Sequence, residues 1–182
     1  FPYTTLFRSE MVIGSIYNDS LTGSDRAVTE ILRGGAGNDT IRGGSGTGTD
    51  LGLNYVDYRS GLGAVTVNLA AGSASGAEGN DVLLGSFAGV ISGGSNDALT
   101  GDAGDNYFDA GAGNDTIDGG AGFDALSYTT ATGAVNVNLG AGTASGAAGS
   151  DSFSNIEAVR GSEYADTLTG SEGHDDIQGR AG

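Results

Sequence analysis

The sequence predicts an all-β fold in which short parallel strands wind into a solenoid. Glycine makes up 36 of the 182 residues, large apolar residues recur nine positions apart, and an aspartate stands two positions before most of them. Helix is disfavoured, because glycine is a poor helix former and the apolar residues do not recur at intervals of three and four. Each nine-residue unit is predicted to form a six-residue turn followed by a three-residue strand.

The unit is clearest at residues 34–42, GGAGNDTIR, and 119–127, GGAGFDALS. Both fit G-G-x-G-x-D-x-U-x, where U is a large apolar residue, a pattern typical of calcium-binding parallel β-helix repeats. Four units run in phase from Ser92, and further units begin at Gly14 and Gly161. The sixth positions of these units are Asp19, Asp39, Asp97, Asn106, Asp115, Asp124, Asp166 and Asp175.

A longer repeat contains the short one. Residues 58–81 and 128–151 are near copies 70 positions apart, and each holds an alternating apolar run, AVTVNL or AVNVNL. Alternation at period two predicts strands, which either continue the solenoid or form a hairpin beside it. Tyr58 and Tyr128 begin the copies and are predicted to pack in the core. The predicted division is a first array at 10–50, a linking strand segment at 51–91, a second array at 92–127, a second linking segment at 128–160 and a truncated third array at 161–182.

Both ends of the chain are expected to be artificial. Residues 1–9, FPYTTLFRS, match nothing else in the chain and resemble the translation of a sequencing adapter, the alternative being a natural N-terminal segment. The last unit stops at Gly182, before its expected aspartate. We expect a fragment of a longer protein and exclude residues 1–9 from the fold prediction.

Composition argues against several partners. The net charge is −16, with no lysine and seven arginines, so little could neutralise nucleic acid or an anionic membrane surface. No stretch approaches the roughly 18 apolar residues of a membrane helix. Cysteine is absent, so bound metal is the candidate stabiliser in place of disulfides. A flexible glycine-rich linker is the alternative, and it becomes the expected state without metal.

The repeat length predicts where metal would bind. Two units make one 18-residue coil, and coils stack at about 4.8 Å, so each turn lies over the next turn but one. This places Asp97 near Asp115, and Asn106 near Asp124. Stacked carboxylates repel each other, and a Ca²⁺ ion between them removes that repulsion while taking six to eight oxygen ligands.

Residues 14–22, 34–50, 92–127 and 161–182 resemble the calcium-binding β-roll of the RTX (repeats-in-toxin) family. The resemblance implies a right-handed parallel β-roll with several Ca²⁺ ions in its turns, secretion by a type I system and folding outside the cell. By motif position, it implies the carboxylate ligands Asp19, Asp39, Asp97, Asp115, Asp124, Asp166 and Asp175. Main-chain carbonyl ligands are implied at Gly34, Ala36, Gly111, Gly113, Gly119 and Ala121.

Four positions depart from the pattern. Asn106 lowers the charge of its site, and Asp50 stands two residues late. The unit at 23–33 has eleven residues and no sixth-position aspartate, so either Asp25 or Glu30 could substitute. Asp175 has no following partner.

No catalytic motif is present in the sequence. His174 is the sole histidine, and neither H-E-x-x-H nor G-x-S-x-G occurs. We therefore expect this segment to be a non-catalytic calcium-dependent scaffold of a larger secreted bacterial protein. The alternatives are a structural spacer of a repeat adhesin and an accessory module of a secreted hydrolase or alginate epimerase. A carbohydrate-binding module would need an exposed row of aromatic residues.

Overall fold

A computed structural model describes residues 10–24, 28–44 and 53–181. The expectations for residues 1–9, Asp25, Asp50 and Gly182 lie outside these ranges. The described residues form strands and turns without helix, and therefore no helix that could cross a membrane. The strands are β1 (Glu10–Ile13), β2 (Ser20–Thr22), β3 (Glu30–Arg33), β4 (Thr40–Arg42), β5 (Asn54–Asp57), β6 (Val65–Asn68), β7 (Ser73–Gly76), β8 (Gly79–Leu84), β9 (Gly89–Ile91), β10 (Ala98–Thr100), β11 (Tyr107–Asp109), β12 (Thr116–Asp118), β13 (Ala125–Ser127), β14 (Val135–Asn138), β15 (Thr143–Gly146), β16 (Gly149–Ser154), β17 (Ala158–Arg160), β18 (Thr167–Thr169) and β19 (Asp176–Gln178).

The strands lie in two sheets, and the chain alternates between them. The 8-stranded sheet has the order β1-β3-β5-β9-β11-β13-β17-β19, and all its pairs are parallel. The 11-stranded sheet has the order β18-β14-β15-β16-β12-β10-β6-β7-β8-β4-β2. The predicted all-β solenoid with two strands per coil is confirmed.

Each near-copy segment inserts a three-stranded antiparallel meander into the 11-stranded sheet. In the first copy, β7 pairs antiparallel with both β6 and β8. The outer strands keep the solenoid direction, because β6 pairs parallel with β10 and β8 pairs parallel with β4. Strands β14, β15 and β16 repeat the arrangement. These segments therefore both continue the solenoid and form a hairpin, so the second sheet is not wholly parallel.

The apolar eighth positions form the core between the sheets. Leu99 lies beside Ile117, and Phe108 lies beside Leu126, each at most 1% exposed. Burying side chains of this size contributes about 1.5–3 kcal/mol each. Burial weakens towards the end of the chain, where Ile177 is 39% exposed. The core therefore depends on stacked coils, since no single coil covers its own apolar residues.

Candidate metal centres

The turns form two edges of the solenoid. Edge 1 contains the turns that lead from the 8-stranded to the 11-stranded sheet, and edge 2 contains the turns that lead back. The sixth residue of each unit directly precedes a strand, so the parallel register aligns the sixth positions of neighbouring coils. On edge 1, Asp97 precedes β10 and Asp115 precedes β12, which pair with each other. On edge 2, Asn106 precedes β11 and Asp124 precedes β13.

One carboxylate oxygen of each stacked aspartate binds the neighbouring coil. The main-chain N–H of Asp97 donates to Asp115 Oδ1 at 2.8 Å. The same bond joins Asn106 N–H to Asp124 Oδ1 at 2.7 Å, and Asp19 N–H to Asp39 Oδ1 at 2.8 Å. The predicted stacking of Asp97 with Asp115 and of Asn106 with Asp124 is therefore present in the structure.

The second carboxylate oxygen divides the seven sequence-predicted aspartates into two groups. In the first group this oxygen, Oδ2, is buried and has no hydrogen-bond partner, and the residues are at most 3% exposed. An unpaired buried carboxylate oxygen is costly, so it marks a place for a cation. The members of this group are Asp39, Asp97, Asp115 and Asp124.

In the second group, Oδ2 is satisfied within its own turn. The N–H of Ser15 donates to Asp19 Oδ2 at 2.5 Å, and these residues lie near the first end of the chain. Ser162 and Ser171 make the same bond to Asp166 and Asp175, at 2.7 and 2.6 Å. All three aspartates are half-buried. The main-chain N–H of the second residue of the unit therefore occupies the oxygen that a cation would bind.

Glycine at the first position leaves space beside the carboxylate. A Cβ atom added at Gly119 would lie 2.6 Å from Asp124 Oδ2, and one added at Gly34 would overlap Asp39 Oδ2. Gly34 and Gly119, two of the implied carbonyl ligands, are buried, as expected for ligands of a metal ion inside the turns. Gly111 and Gly113 are half-buried, whereas Ala36 and Ala121 are exposed.

Burial and like charge raise the pKa of the stacked carboxyl groups. The pKa of Asp115 rises to about 7, chiefly through burial and then through the charges of Asp151 and Asp97, against a lowering by the Asp97 N–H bond. The pKa of Asp124 rises to about 6 through burial and the charges of Glu157, Asp105 and Asp102, against a lowering by the Asn106 N–H bond. A bound cation would reverse these effects by favouring the charged form.

Two ladder aspartates were missed from the sequence. Asp39 N–H donates to Asp81 Oδ1 at 2.9 Å, and Asp115 N–H donates to Asp151 Oδ1 at 3.0 Å. The sequence does contain a signal for these two aspartates. Residues 76–84, GAEGNDVLL, and 146–154, GAAGSDSFS, fit the nine-residue pattern apart from alanine at the second position. The linking segments therefore each end in a further unit.

Glutamate takes the sixth position at two places on edge 2. Asp124 N–H donates to Glu157 Oε2 at 2.9 Å, and Ala158 pairs with Ala125 in register. Glu30 accepts the N–H of Ser24 at 2.7 Å, so this glutamate takes the aspartate role in the eleven-residue unit. Glu157 is not among the sequence-predicted ligands, because the nonapeptide pattern has aspartate at this position.

Asn106 interrupts the row of negative charges on edge 2, as expected for a neutral amide side chain. Its Oδ1 accepts the N–H of Asp102 at 2.7 Å, and its Nδ2 donates to the carbonyl of Phe87 at 3.4 Å. The next sixth position along the edge is Ala88, which also carries no charge. Edge 2 therefore has a neutral stretch between its acidic positions.

The donor set fits calcium. In the part of the chain that the structure describes, no three acidic or histidine side chains converge on one point. An ion in these turns would therefore be held by carboxylates from adjoining turns together with main-chain carbonyls, all of them hard oxygen ligands. Calcium accepts such irregular oxygen sets, whereas Mg²⁺ demands near-octahedral geometry.

A comparison of the sequence with protein families agrees with this repeat pattern. The model described as the RTX calcium-binding nonapeptide repeat matches four copies, over residues 28–49, 91–126 and 153–182. The chain carries RTX calcium-binding repeats. RTX repeats bind Ca²⁺ and are typical of secreted bacterial proteins, and the repeat itself is a structural calcium-binding unit. The unit at 14–22 lies outside the matched ranges, yet it stacks in register with the RTX unit at 34–42. A search of the curated proteins finds no match.

Proposed function

We propose that this segment is a calcium-triggered folding scaffold of a secreted protein. The observation that carries the proposal is the set of four buried Oδ2 atoms, on Asp39, Asp97, Asp115 and Asp124, that lack any partner. A cation at these atoms would neutralise stacked carboxylates that otherwise repel each other. Because the site exists only when the coils are stacked, the binding free energy of the ion becomes folding free energy.

The charge of the whole chain favours such coupling. A net charge of −16 opposes compaction, and the core is thin because each coil contributes few large apolar residues. At cytosolic calcium the chain would stay extended, and at millimolar extracellular calcium it would fold. An unfolded chain suits export through a type I secretion system, and folding outside the cell would then retain it there. Asp19, Asp166 and Asp175 would bind calcium more weakly, because a main-chain N–H of the same turn already occupies their second oxygen.

Circular dichroism of the isolated chain tests this proposal. We expect a disordered spectrum in chelator and a β-rich spectrum in millimolar Ca²⁺, with Mg²⁺ at the same concentration giving little change. An equally β-rich chain in chelator would refute calcium-coupled folding.

A structural spacer is the second candidate, and the module geometry favours it. The meander β6–β8 and the meander β14–β16 have matching registers, so the module can be repeated along one axis. Small-angle scattering of chains with added modules tests it, since a spacer would lengthen by a constant increment per module. The accessory-module alternative has less support, because Tyr55 and Tyr107 pack edge to face instead of forming an open row.

A further inference from the structure

The last aspartate of each carboxylate series on edge 1 has a partner that the others lack. Asp81 Oδ2 accepts the hydroxyl of Tyr58 at 2.8 Å, and Asp151 Oδ2 accepts the hydroxyl of Tyr128 at 2.8 Å. In Asp115, one coil before Asp151, the equivalent atom is buried and unpartnered. The difference occurs in both module copies, and the first copy also holds Glu78, whose Oε2 is buried and unpartnered and whose counterpart in the second copy is Ala148.

The position of each tyrosine follows from the inserted meander. Strand β15 separates β16, which contains Asp151, from β14, which begins at Val135. The next ladder position therefore holds an apolar residue, and Asp166 Oδ1 accepts the N–H of Val135 at 2.9 Å to begin a new series. The same break separates Asp81 from Asp97, whose Oδ1 accepts the N–H of Val65 at 2.9 Å.

The tyrosine side chains fill the turns at these breaks. Tyr58 and Tyr128 are 4% and 2% exposed, and they stand at the first position of their turns, where Gly34 stands in a regular unit. Each closing aspartate consequently has both oxygens hydrogen-bonded, one to the main chain of the previous coil and one to a phenol. The phenol is a neutral donor, so it satisfies the carboxylate oxygen without a cation.

We propose that Tyr58 and Tyr128 are metal-excluding caps, which complete the carboxylates of Asp81 and Asp151 in place of calcium. This inference rests on the proposed function, because it takes the unpartnered Oδ2 atoms as the calcium ligands. The caps divide the calcium sites of edge 1 into separate series, one per module. Each series then binds its own calcium ions, because no ion bridges the inserted meander. The contact between modules is therefore maintained without a shared ion.

Ion counting by native mass spectrometry in saturating calcium tests the caps. The variants are Asp151→Asn and Tyr128→Phe, with Asp115→Asn as the matched ladder control. Tyr128 is chosen because Ala148 stands in its copy where Glu78 adds a second carboxylate near Tyr58. We expect Asp115→Asn to lose one ion and Asp151→Asn to keep every ion of the wild type. Tyr128→Phe should also lose no ion, and an additional ion in this variant would support exclusion of metal by the hydroxyl. Loss of an ion by Asp151→Asn or Tyr128→Phe overturns the cap.

A failure of the proposed function would give a different result from a failure of the cap. If Asp115→Asn keeps every ion, the ligand assignment is wrong, and the cap is then judged on the tyrosine itself. In the calcium-loaded protein, the Raman difference between wild type and Tyr128→Phe should show a strong phenol donor, which Asp151→Asn weakens. A Tyr128 signal that is not a donor, or that Asp151→Asn leaves unchanged, overturns the cap without reference to ion counts. Circular dichroism confirms that each variant is folded.

Discussion

At the scale of the residue, the second carboxylate oxygen distinguishes aspartates that look identical in the repeat. Asp39 and Asp19 occupy the same position of neighbouring units, and Asp19 N–H binds Asp39 Oδ1. Asp39 Oδ2 is buried without a partner, whereas Asp19 Oδ2 accepts two bonds from Ser15. The unit of Asp39 has glycine at its second position, whereas the unit of Asp19 has serine, whose main-chain N–H and hydroxyl both bind Asp19 Oδ2.

The pair Asp39→Asn and Asp19→Asn tests this distinction. Asp39→Asn should raise the calcium concentration at half-folding about tenfold, the equivalent of about 1.4 kcal/mol. Asp19→Asn should raise it less, because its carboxylate is already satisfied and half-buried. The measurement is a calcium titration followed by circular dichroism, with the exposed Asp176→Asn as control. Equal effects of Asp39→Asn and Asp19→Asn would contradict the assignment.

At the scale of the element, close stacking of the turns requires glycine at defined positions. Gly111 has a φ of +81°, a left-handed conformation that other residues rarely adopt, and a Cβ there would overlap the carbonyl oxygen of Gly93. Gly94, in the neighbouring turn, would place its Cβ in open space. The two glycines therefore have different roles despite similar sequence surroundings.

Gly111→Ala should destabilise the calcium-loaded fold by about 1–3 kcal/mol, because it combines backbone strain with a steric clash. Gly94→Ala should be neutral, or stabilising by up to about 1 kcal/mol, through the unfolded chain. Urea unfolding in saturating calcium measures both free energies. If both substitutions have the same effect, close coil stacking at Gly111 does not limit stability.

The inserted meander is the other feature of this scale. It ends in a unit with alanine at the second position, and its aspartate closes a carboxylate series under a tyrosine hydroxyl. Period-two alternation identified the first strand of each meander, β6 and β14. It did not identify the closing aspartates, because their unit lacks the second glycine.

At the scale of the whole molecule, the proposed function would link folding to both calcium and protons through the accumulated negative charge. The raised pKa values of Asp115 and Asp124, about 7 and about 6, mean that the metal-free fold binds protons that the unfolded chain has already lost. Between roughly pH 4 and pH 7 the unfolded state therefore binds fewer protons, and the metal-free fold loses stability as the pH rises.

The chain in chelator should accordingly gain β-structure as the pH falls from 7.5 to 5. At pH 7.5, part of the free energy of calcium binding is then used to ionise these carboxyl groups. Asp115→Asn should reduce the pH dependence of the β content in chelator. Circular dichroism across this pH range provides the measurement. A metal-free chain whose β content is independent of pH would contradict the argument.

The sequence by itself determined the solenoid, the stacking partners within the regular arrays and the type of ligand. Two nine-residue units make one coil, so residues 18 positions apart lie next to each other. Asp97 therefore stacks on Asp115, and Leu99 keeps its place in the strand that follows, whatever the rest of the chain does. Which carboxylates remain available for calcium was decided only by the tertiary structure. Ser15, Tyr58 and Tyr128 reach their aspartates through the turn or across the inserted meander. A hydroxyl 23 positions distant in the chain is adjacent in space only after the antiparallel strands have paired, so periodicity cannot show it.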